Sequence, residues 1–283
     1  VLTGRGLRCA VLGSPVAHSL SPVLHRAAYD ALGLDWTYDA VEVDEDGLAA
    51  FLAGLDHSWR GLSLTMPLKR RLMQLRDPAD EVDRWARTAG AANTLVLGHP
   101  RLLANTDVPG AVAALRPVGG VADAVVLGGG ATAASVLLAL AELGCRTATV
   151  LVRSPERAQA AVAAAARHPA APAVEVGVLA DDAARAAAAR RADLVVSTIP
   201  AAAQTPELVA DWAEVPAVFE VVYDPWPTPL AAAALASGRT LVSGLDLLVE
   251  QAALQVQLMT GAAEAPVAVM RQAGEQALAA RRG

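Results

Sequence analysis

The chain has 283 residues, enough for two medium domains whose cores need no covalent staples. Hydrophobic residues at 54% and charged residues at 18% exclude a disordered chain, and two cysteines, Cys9 and Cys145, exclude a disulfide framework or a cysteine-rich metal module while fitting a reducing cytoplasm. A formal net charge of −6 argues against a nucleic-acid partner, because the sequence-independent part of that affinity needs surplus Lys and Arg. Val1 to Arg8 carries no apolar run with a cleavage site, so no signal peptide is read.

In chain order, Arg8 to Leu12 reads as a strand ended by Gly13. Ser21-Pro22 reads as an N-cap followed by proline at the first position of a helix ending near Gly33. Trp36 to Val43 alternates as a strand, Leu48 to Leu55 has helical spacing, and Gly61 to Thr65 is a short strand stopped by Pro67. Thr94 to Leu97 and Arg101 to Ala104 flank the turn cluster Gly98-His99-Pro100 as a hairpin, and Asp107 is expected to cap a helix through Leu115. Arg116-Pro117-Val118-Gly119-Gly120 is the linker candidate. Ala124 to Ala141 is uncharged and long enough for a membrane helix, but Gly128-Gly129-Gly130 divides it into a strand, a tight turn and a helix, so no membrane partner is read. Arg146 to Val152, Asp193 to Ile199, Val218 to Tyr223 and Thr240 to Ser243 read as further strands of a parallel sheet, with Ala158 to Arg167 and Ala180 to Ala192 as Ala-rich helices. Leu245 to Met259 and Val267 to Ala280 are terminal helices.

All but one of the 23 basic side chains are arginine, and the exception is Lys69. Asparagine, isoleucine and tyrosine are similarly scarce, and all four types have A/T-rich codons, as expected of a G/C-rich genome. Arginine serves as a generic surface cation but cannot release a proton in a protein, whereas lysine can act as acid or base, so Lys69 is a functional candidate on composition alone. The two asparagines, Asn93 and Asn105, each precede a threonine, and Asp107 follows the second pair.

Gly128-Gly129-Gly130-Ala131-Thr132-Ala133 fits G-x-G-x-x-A between a strand and a helix, where bare backbone can approach a pyrophosphate and the helix N-terminus favours its charge. The next strand ends at Val152 with Arg153 and Arg157 rather than with a carboxylate for a ribose 2′-hydroxyl. Two guanidinium groups suit a 2′-phosphate and hence NADP rather than NAD, although Arg157 also fits one turn of a solvated helix face.

With these motifs the chain resembles shikimate dehydrogenase from its first strand to its terminal helices. Gly13-Ser14-Pro15-Val16-Ala17-His18-Ser19-Leu20-Ser21-Pro22 is similar to the family's opening motif, which implies that Ser19 and Ser21 bind the substrate carboxylate. Gly61-Leu62-Ser63-Leu64-Thr65-Met66-Pro67-Leu68-Lys69 resembles the family's G-x-N-V-T-x-P-x-K segment, which implies that Lys69 is the catalytic lysine and Thr65 a substrate contact. Ser63 stands where the family has asparagine. Ala89-Gly90-Ala91-Ala92-Asn93-Thr94 and Asn105-Thr106-Asp107 resemble the two Asn-Thr motifs, implying that Asn93 and Asp107 contact substrate hydroxyls.

The resemblance puts Gly128, Gly129, Gly130, Ala131 and Thr132 on the pyrophosphate, and Arg153, Ser154 and Arg157 on the 2′-phosphate, with Val152 where asparagine is usual. Ser197-Thr198-Ile199-Pro200 takes the place of a strand-end motif near the cofactor, implicating Thr198. Val222-Tyr223-Asp224-Pro225 through Thr228-Pro229-Leu230 implies Tyr223 facing substrate and Val221 near the nicotinamide. Gly244-Leu245-Asp246-Leu247-Leu248-Val249-Glu250-Gln251 resembles the final motif, with Gly244 near the nicotinamide, Gln251 on substrate and Leu247 where methionine is common.

The implied fold is α/β. An N-terminal α/β substrate domain (residues 1–115, with terminal helices about 245–283 packing back on it) is joined to a C-terminal Rossmann-type NADP-binding domain (116–244) across a deep interdomain cleft. The implied chemistry is reversible NADP-dependent reduction of 3-dehydroshikimate to shikimate in chorismate biosynthesis, with Lys69 and Asp107 handling the proton and no metal. A quinate-oxidising paralogue, or a non-catalytic binding module on the same fold, stays open at this stage, as does monomer against homodimer. A metal hydrolase built on His18 and His25 fails on ligand spacing.

Overall fold

A computed structural model of the chain describes residues 6–281. Val1–Arg5, within the stretch read above for a signal peptide, lie outside the described residues. The chain forms two compact units, one running up to Gly110 and resuming at Leu248, the other comprising Ala111–Leu247.

The first unit holds β1 (Arg8–Gly13), β2 (Thr37–Glu42), β3 (Trp59–Leu64), β4 (Glu81–Val82), β5 (Thr94–Val96) and β6 (Leu102–Ala104), in the order β2-β1-β3-β5-β6-β4. β1 runs parallel to β2 and β3, while β5 is antiparallel to both β3 and β6. That polarity brings the ends of β1, β3 and β6 and the start of β5 to one edge of the sheet. Every polar motif of this unit leaves the sheet there. β4 has only two residues, too few for alternation to betray it. The helix Ser21–Ala31 buries Leu24, His25, Ala28 and Tyr29, an i, i+1, i+4, i+5 stripe, and packs against Val267–Ala280. Ser21 is not its N-cap as expected: it is the first helical residue, its side chain makes no capping bond, and its own N–H donates to Ser19 Oγ at 3.2 Å.

The second unit holds β7 (Asp123–Leu127), β8 (Thr147–Val152), β9 (Ala173–Val178), β10 (Leu194–Ser197), β11 (Ala217–Glu220) and β12 (Thr240–Ser243). All pairings are parallel and the order is β12-β11-β10-β7-β8-β9, the doubly wound arrangement whose strand order reverses between β7 and β10. β9 was not anticipated. As an edge strand it leaves Val176 and Val178 partly exposed, so it lacks the apolar run that marks buried parallel strands such as β10. The uncharged stretch read from Ala124 is β7, a glycine turn and the helix Ala131–Glu142, and no described helix is long and apolar enough to cross a membrane. Ala111, Ala114, Leu115 and Leu247 belong to this unit's core, beside Val126, Leu137, Val150 and Phe219.

Candidate functional site

Lys69 sits in the first turn of the helix Leu68–Gln74, which follows β3 through Thr65-Met66-Pro67. Its Nζ donates to Asp107 Oδ2 at 2.7 Å, with the lysine side chain 14% and the aspartate 7% exposed. At that burial the pair is shielded from the screening that weakens surface ion pairs, while the lysine tip stays reachable. An ammonium carries three protons, so this contact leaves two for another acceptor.

Asp107 does not cap its helix as expected. Asn105 does, its Oδ1 accepting from the Val108 N–H at 3.2 Å, and that leaves the Asp107 carboxylate for the site. Its second oxygen accepts from Asn93 Nδ2 at 2.9 Å. Asn93 is the organiser: Oδ1 accepts from the Thr106 N–H at 2.8 Å, and Nδ2 also faces Thr106 Oγ1 at 2.9 Å and Gln251 Oε1 at 3.2 Å. An amide nitrogen has two hydrogens for these three acceptors, so Gln251, the farthest, is the one a ligand can most readily detach.

A buried relay underlies this layer. Gln255 donates to Thr94 Oγ1 at 3.0 Å and accepts from Ser63 Oγ at 2.9 Å, and Ser63 in turn accepts from the Tyr38 hydroxyl at 2.6 Å. His25 reaches the same Gln255 oxygen at 3.2 Å and stacks on Tyr38 with centroids 3.9 Å apart. Burial pushes the His25 pKa down to about 3, so the ring is neutral. The serine in the family asparagine's place is therefore committed to two buried partners.

The other predicted residues of this unit lie on the connections after β1 and β3. The Thr65 N–H donates to Leu12 O at 2.9 Å and the Ser14 N–H to Met66 O at 3.0 Å, so the loops after β1 and β3 lie side by side. Gly13 allows it, since a Cβ there would fall 2.8 Å from Met66 O. Ser19 sits on the loop after β1 and Ser21 opens the helix that follows, joined by the bond given above. Gly110 is a site-shaping residue that sequence reasoning missed. A Cβ on it would lie 2.9 Å from the Gln251 backbone nitrogen, so glycine lets the helix Asp107–Leu115 pass against Gln251. A glycine inside a helical stretch was the available signal.

In the second unit the turn after β7 lies at the reversal of strand order. Gly128 has φ 110°, a conformation that favours glycine, and a Cβ on Gly129 would collide with the Arg157 carbonyl. Nothing lies within 4 Å of where a Gly130 Cβ would be, and no side chain caps the helix Ala131–Glu142 that starts after it. Open space before first-turn N–H groups without a side-chain cap is what a pyrophosphate requires. Arg153 and Arg157 are exposed beyond the end of β8, with Ser154 between them. These groups fit an NADP molecule: amides for the diphosphate, guanidinium groups for the 2′-phosphate.

The Thr198 hydroxyl donates to Leu127 O at 2.8 Å, tying the end of β10 to β7 beside the turn. Gly244 lies against the Val221 carbonyl, and a Cβ there would also fall 3.1 Å from the Tyr223 nitrogen, so Val221, Tyr223 and Gly244 share one corner. Sequence reasoning also missed Thr106, Gln255 and Glu220, a buried carboxylate ending β11.

Residues 11–95 match the shikimate dehydrogenase substrate binding domain and residues 244–273 the shikimate 5′-dehydrogenase C-terminal domain. Among curated relatives, the shikimate dehydrogenase (NADP(+)) of Moorella thermoacetica is 38% identical, the match covering 97% of this chain and 94% of that protein. The chain belongs to the shikimate dehydrogenase family. Among solved structures, Mycobacterium tuberculosis shikimate dehydrogenase superposes with a TM-score of 0.86 at 39% identity, covering 95% of this chain and 99% of that one. The shikimate 5-dehydrogenase of Thermus thermophilus, in complex with NADP(H) and shikimate, gives 0.80 at 32% identity over 96% and 100% of the two chains.

Proposed function

We propose that the chain is an NADP-dependent shikimate dehydrogenase, interconverting 3-dehydroshikimate and shikimate in aromatic amino acid (chorismate) biosynthesis in the cytoplasm. The observation that carries this reading is the Lys69–Asp107 pair at 2.7 Å, largely enclosed and held by Asn93. NADPH, when bound, supplies the hydride. Reduction of a ring carbonyl then requires one proton at the oxygen that becomes the alcohol, and Lys69 Nζ offers it. Asp107 holds the ammonium in place and accepts from a ring hydroxyl, and Asn93 keeps the carboxylate from turning away.

Ser19 and Ser21 take the substrate carboxylate, and Thr65, Asn93 and Gln251 the ring hydroxyls, which makes the unit up to Gly110 with its C-terminal helices the substrate domain, while Tyr223 of the other unit also faces substrate. Gly128 to Thr132 hold the diphosphate, Arg153, Ser154 and Arg157 the 2′-phosphate, and Thr198, Val221 and Gly244 border the nicotinamide, which makes Ala111–Leu247 the NADP domain. The Arg153 side chain, where NAD-specific relatives of this fold place a carboxylate, sets the cofactor preference. A cytoplasmic setting suits Cys9 and Cys145, both buried and unpaired, their thiols raised by burial to about 11.

Lys69→Ala tests the reading. The expected result is kcat lowered by about 100-fold or more with shikimate affinity within a few-fold of the parent. A variant with near-normal kcat would remove Lys69 from the chemistry.

A further inference from the structure

Glu220 is a carboxylate with no exposed surface at the end of β11, and nothing in the mechanism above uses it. A buried carboxylate persists only where donors replace its water. Here Oε1 accepts from the Val222 N–H at 3.0 Å, and Oε2 accepts from Gln204 Nε2 at 2.7 Å and Thr228 Oγ1 at 2.8 Å. Gln204 Nε2 also donates to Ser197 Oγ at 3.1 Å, which links the cluster to the end of β10. Burial raises the Glu220 pKa and these donors oppose the rise.

The donors come from the connection through Gln204, itself bonded to Ser197 at the end of β10, and from both ends of the 221–228 loop. Val222 opens that loop and Thr228 closes it. Thr228 also caps the helix Pro229–Ala236, accepting from the Ala231 N–H at 3.2 Å, and Gln204 Oε1 accepts from the Leu230 N–H at 3.0 Å. A single carboxylate thus clamps the loop at both ends and ties it to β10. An apolar residue would fill the same space but could not bond either end, and a glutamine would turn an NH2 group toward partners that are themselves donors.

We infer that Glu220 is a positioning residue for hydride transfer: by gripping the Val222 N–H and Thr228 hydroxyl it fixes the loop that presents Val221 and Tyr223, and so sets the registration of nicotinamide and ring. This rests on the proposed shikimate dehydrogenase reading, which assigns those two residues their neighbours. The corner is closely built, since Gly244 already lies against the Val221 carbonyl. A loop displaced by a fraction of an ångström changes donor–acceptor alignment at the reacting carbon without touching the diphosphate or 2′-phosphate groups of the same unit.

The test compares Glu220→Gln and Glu220→Asp with the parent in the full-length protein, with folding checked by circular dichroism and melting. Readouts are kcat, KM for shikimate, affinity for 2′,5′-ADP as a probe of the phosphate end alone, and the primary isotope effect with shikimate deuterated at the carbon whose hydroxyl is oxidised. For folded Glu220→Gln the expected result is kcat lowered about 10- to 100-fold, a larger isotope effect and 2′,5′-ADP affinity within about two-fold, with partial recovery in Glu220→Asp. Parent-like kcat and isotope effect, or 2′,5′-ADP affinity lost in proportion to kcat, would overturn the inference. Should Glu220→Gln not fold, Thr228→Val removes one donor and is expected to show the same pattern at about three-fold; an unchanged kcat there would overturn it equally. A parent protein that does not oxidise shikimate at all would instead defeat the underlying reading.

Discussion

In the first unit, Lys69, Asn93 and Asp107 arrive from three separate connections and stand 2.7 to 2.9 Å from their partners. In the second, Gly128, Gly129 and Gly130 are consecutive and contribute no side chain. The two sites solve different problems. Placing a proton at one oxygen needs a functional group of fixed identity and orientation, so a layered hydrogen-bond network supports it. Holding a diphosphate needs donors that every residue already has, so the requirement falls on what must be absent: a Cβ at the turn and a capping side chain at the helix start. Damage to the two regions should therefore separate cleanly into substrate and cofactor parameters.

The largest separation is expected from Gly129→Ala, whose methyl group would meet the Arg157 backbone rather than a flexible side chain. NADP affinity should fall by about ten-fold to 100-fold, while shikimate binding, measured by equilibrium dialysis without cofactor, stays unchanged. Equal loss of both would mean that the units are not independent in binding. Asn93→Ala is the mirror experiment. It removes the group holding Asp107, and kcat/KM for shikimate should drop about 30-fold with NADP affinity retained. Arg153→Ala sharpens the cofactor side: KM for NADP should rise about ten-fold while that for NAD stays put, and a parallel rise in both would show that Arg153 does not read the 2′-phosphate.

The smallest effect concerns the relay beneath Asn93. His25 stays neutral in the folded protein with a pKa near 3, whereas the unfolded chain takes up its proton around 6.5. The unfolded state then binds more protons between those values, so this contribution to stability is complete above about pH 6.5 and lost as pH falls, by at most about 1.4 kcal/mol per pH unit. Melting temperatures between about pH 6.5 and 4.5 should fall more steeply for the parent than for His25→Phe. Identical slopes would contradict the buried, neutral ring.

The same contrast explains what was legible before folding. Lys69 stood out because an arginine-rich composition had removed every other lysine, and the glycine turn because its motif is local and flanked by a readable strand and helix. The doubly wound sheet followed from alternating elements, yet β9 escaped because an edge strand with exposed valines carries little periodic signal. Capping assignments failed at Ser21 and Asp107 because each is the first helical residue, and a side chain two positions earlier, Ser19 or Asn105, accepts a free N–H instead. Ser63 and Gln255 are 192 positions apart and meet only through packing, so no spacing rule could pair them. Glu220 looks in sequence like an ordinary strand-end acid; its burial and its donors exist only in three dimensions.

The most direct test of the account is the initial rate of cofactor reduction with shikimate and with quinate, each against NADP and NAD. Turnover with shikimate and NADP, and at least about ten-fold lower kcat/KM for the other three combinations, is the predicted result. Preference for quinate or for NAD would contradict it, leaving the fold and Lys69 in place but removing the substrate or the Arg153 assignment.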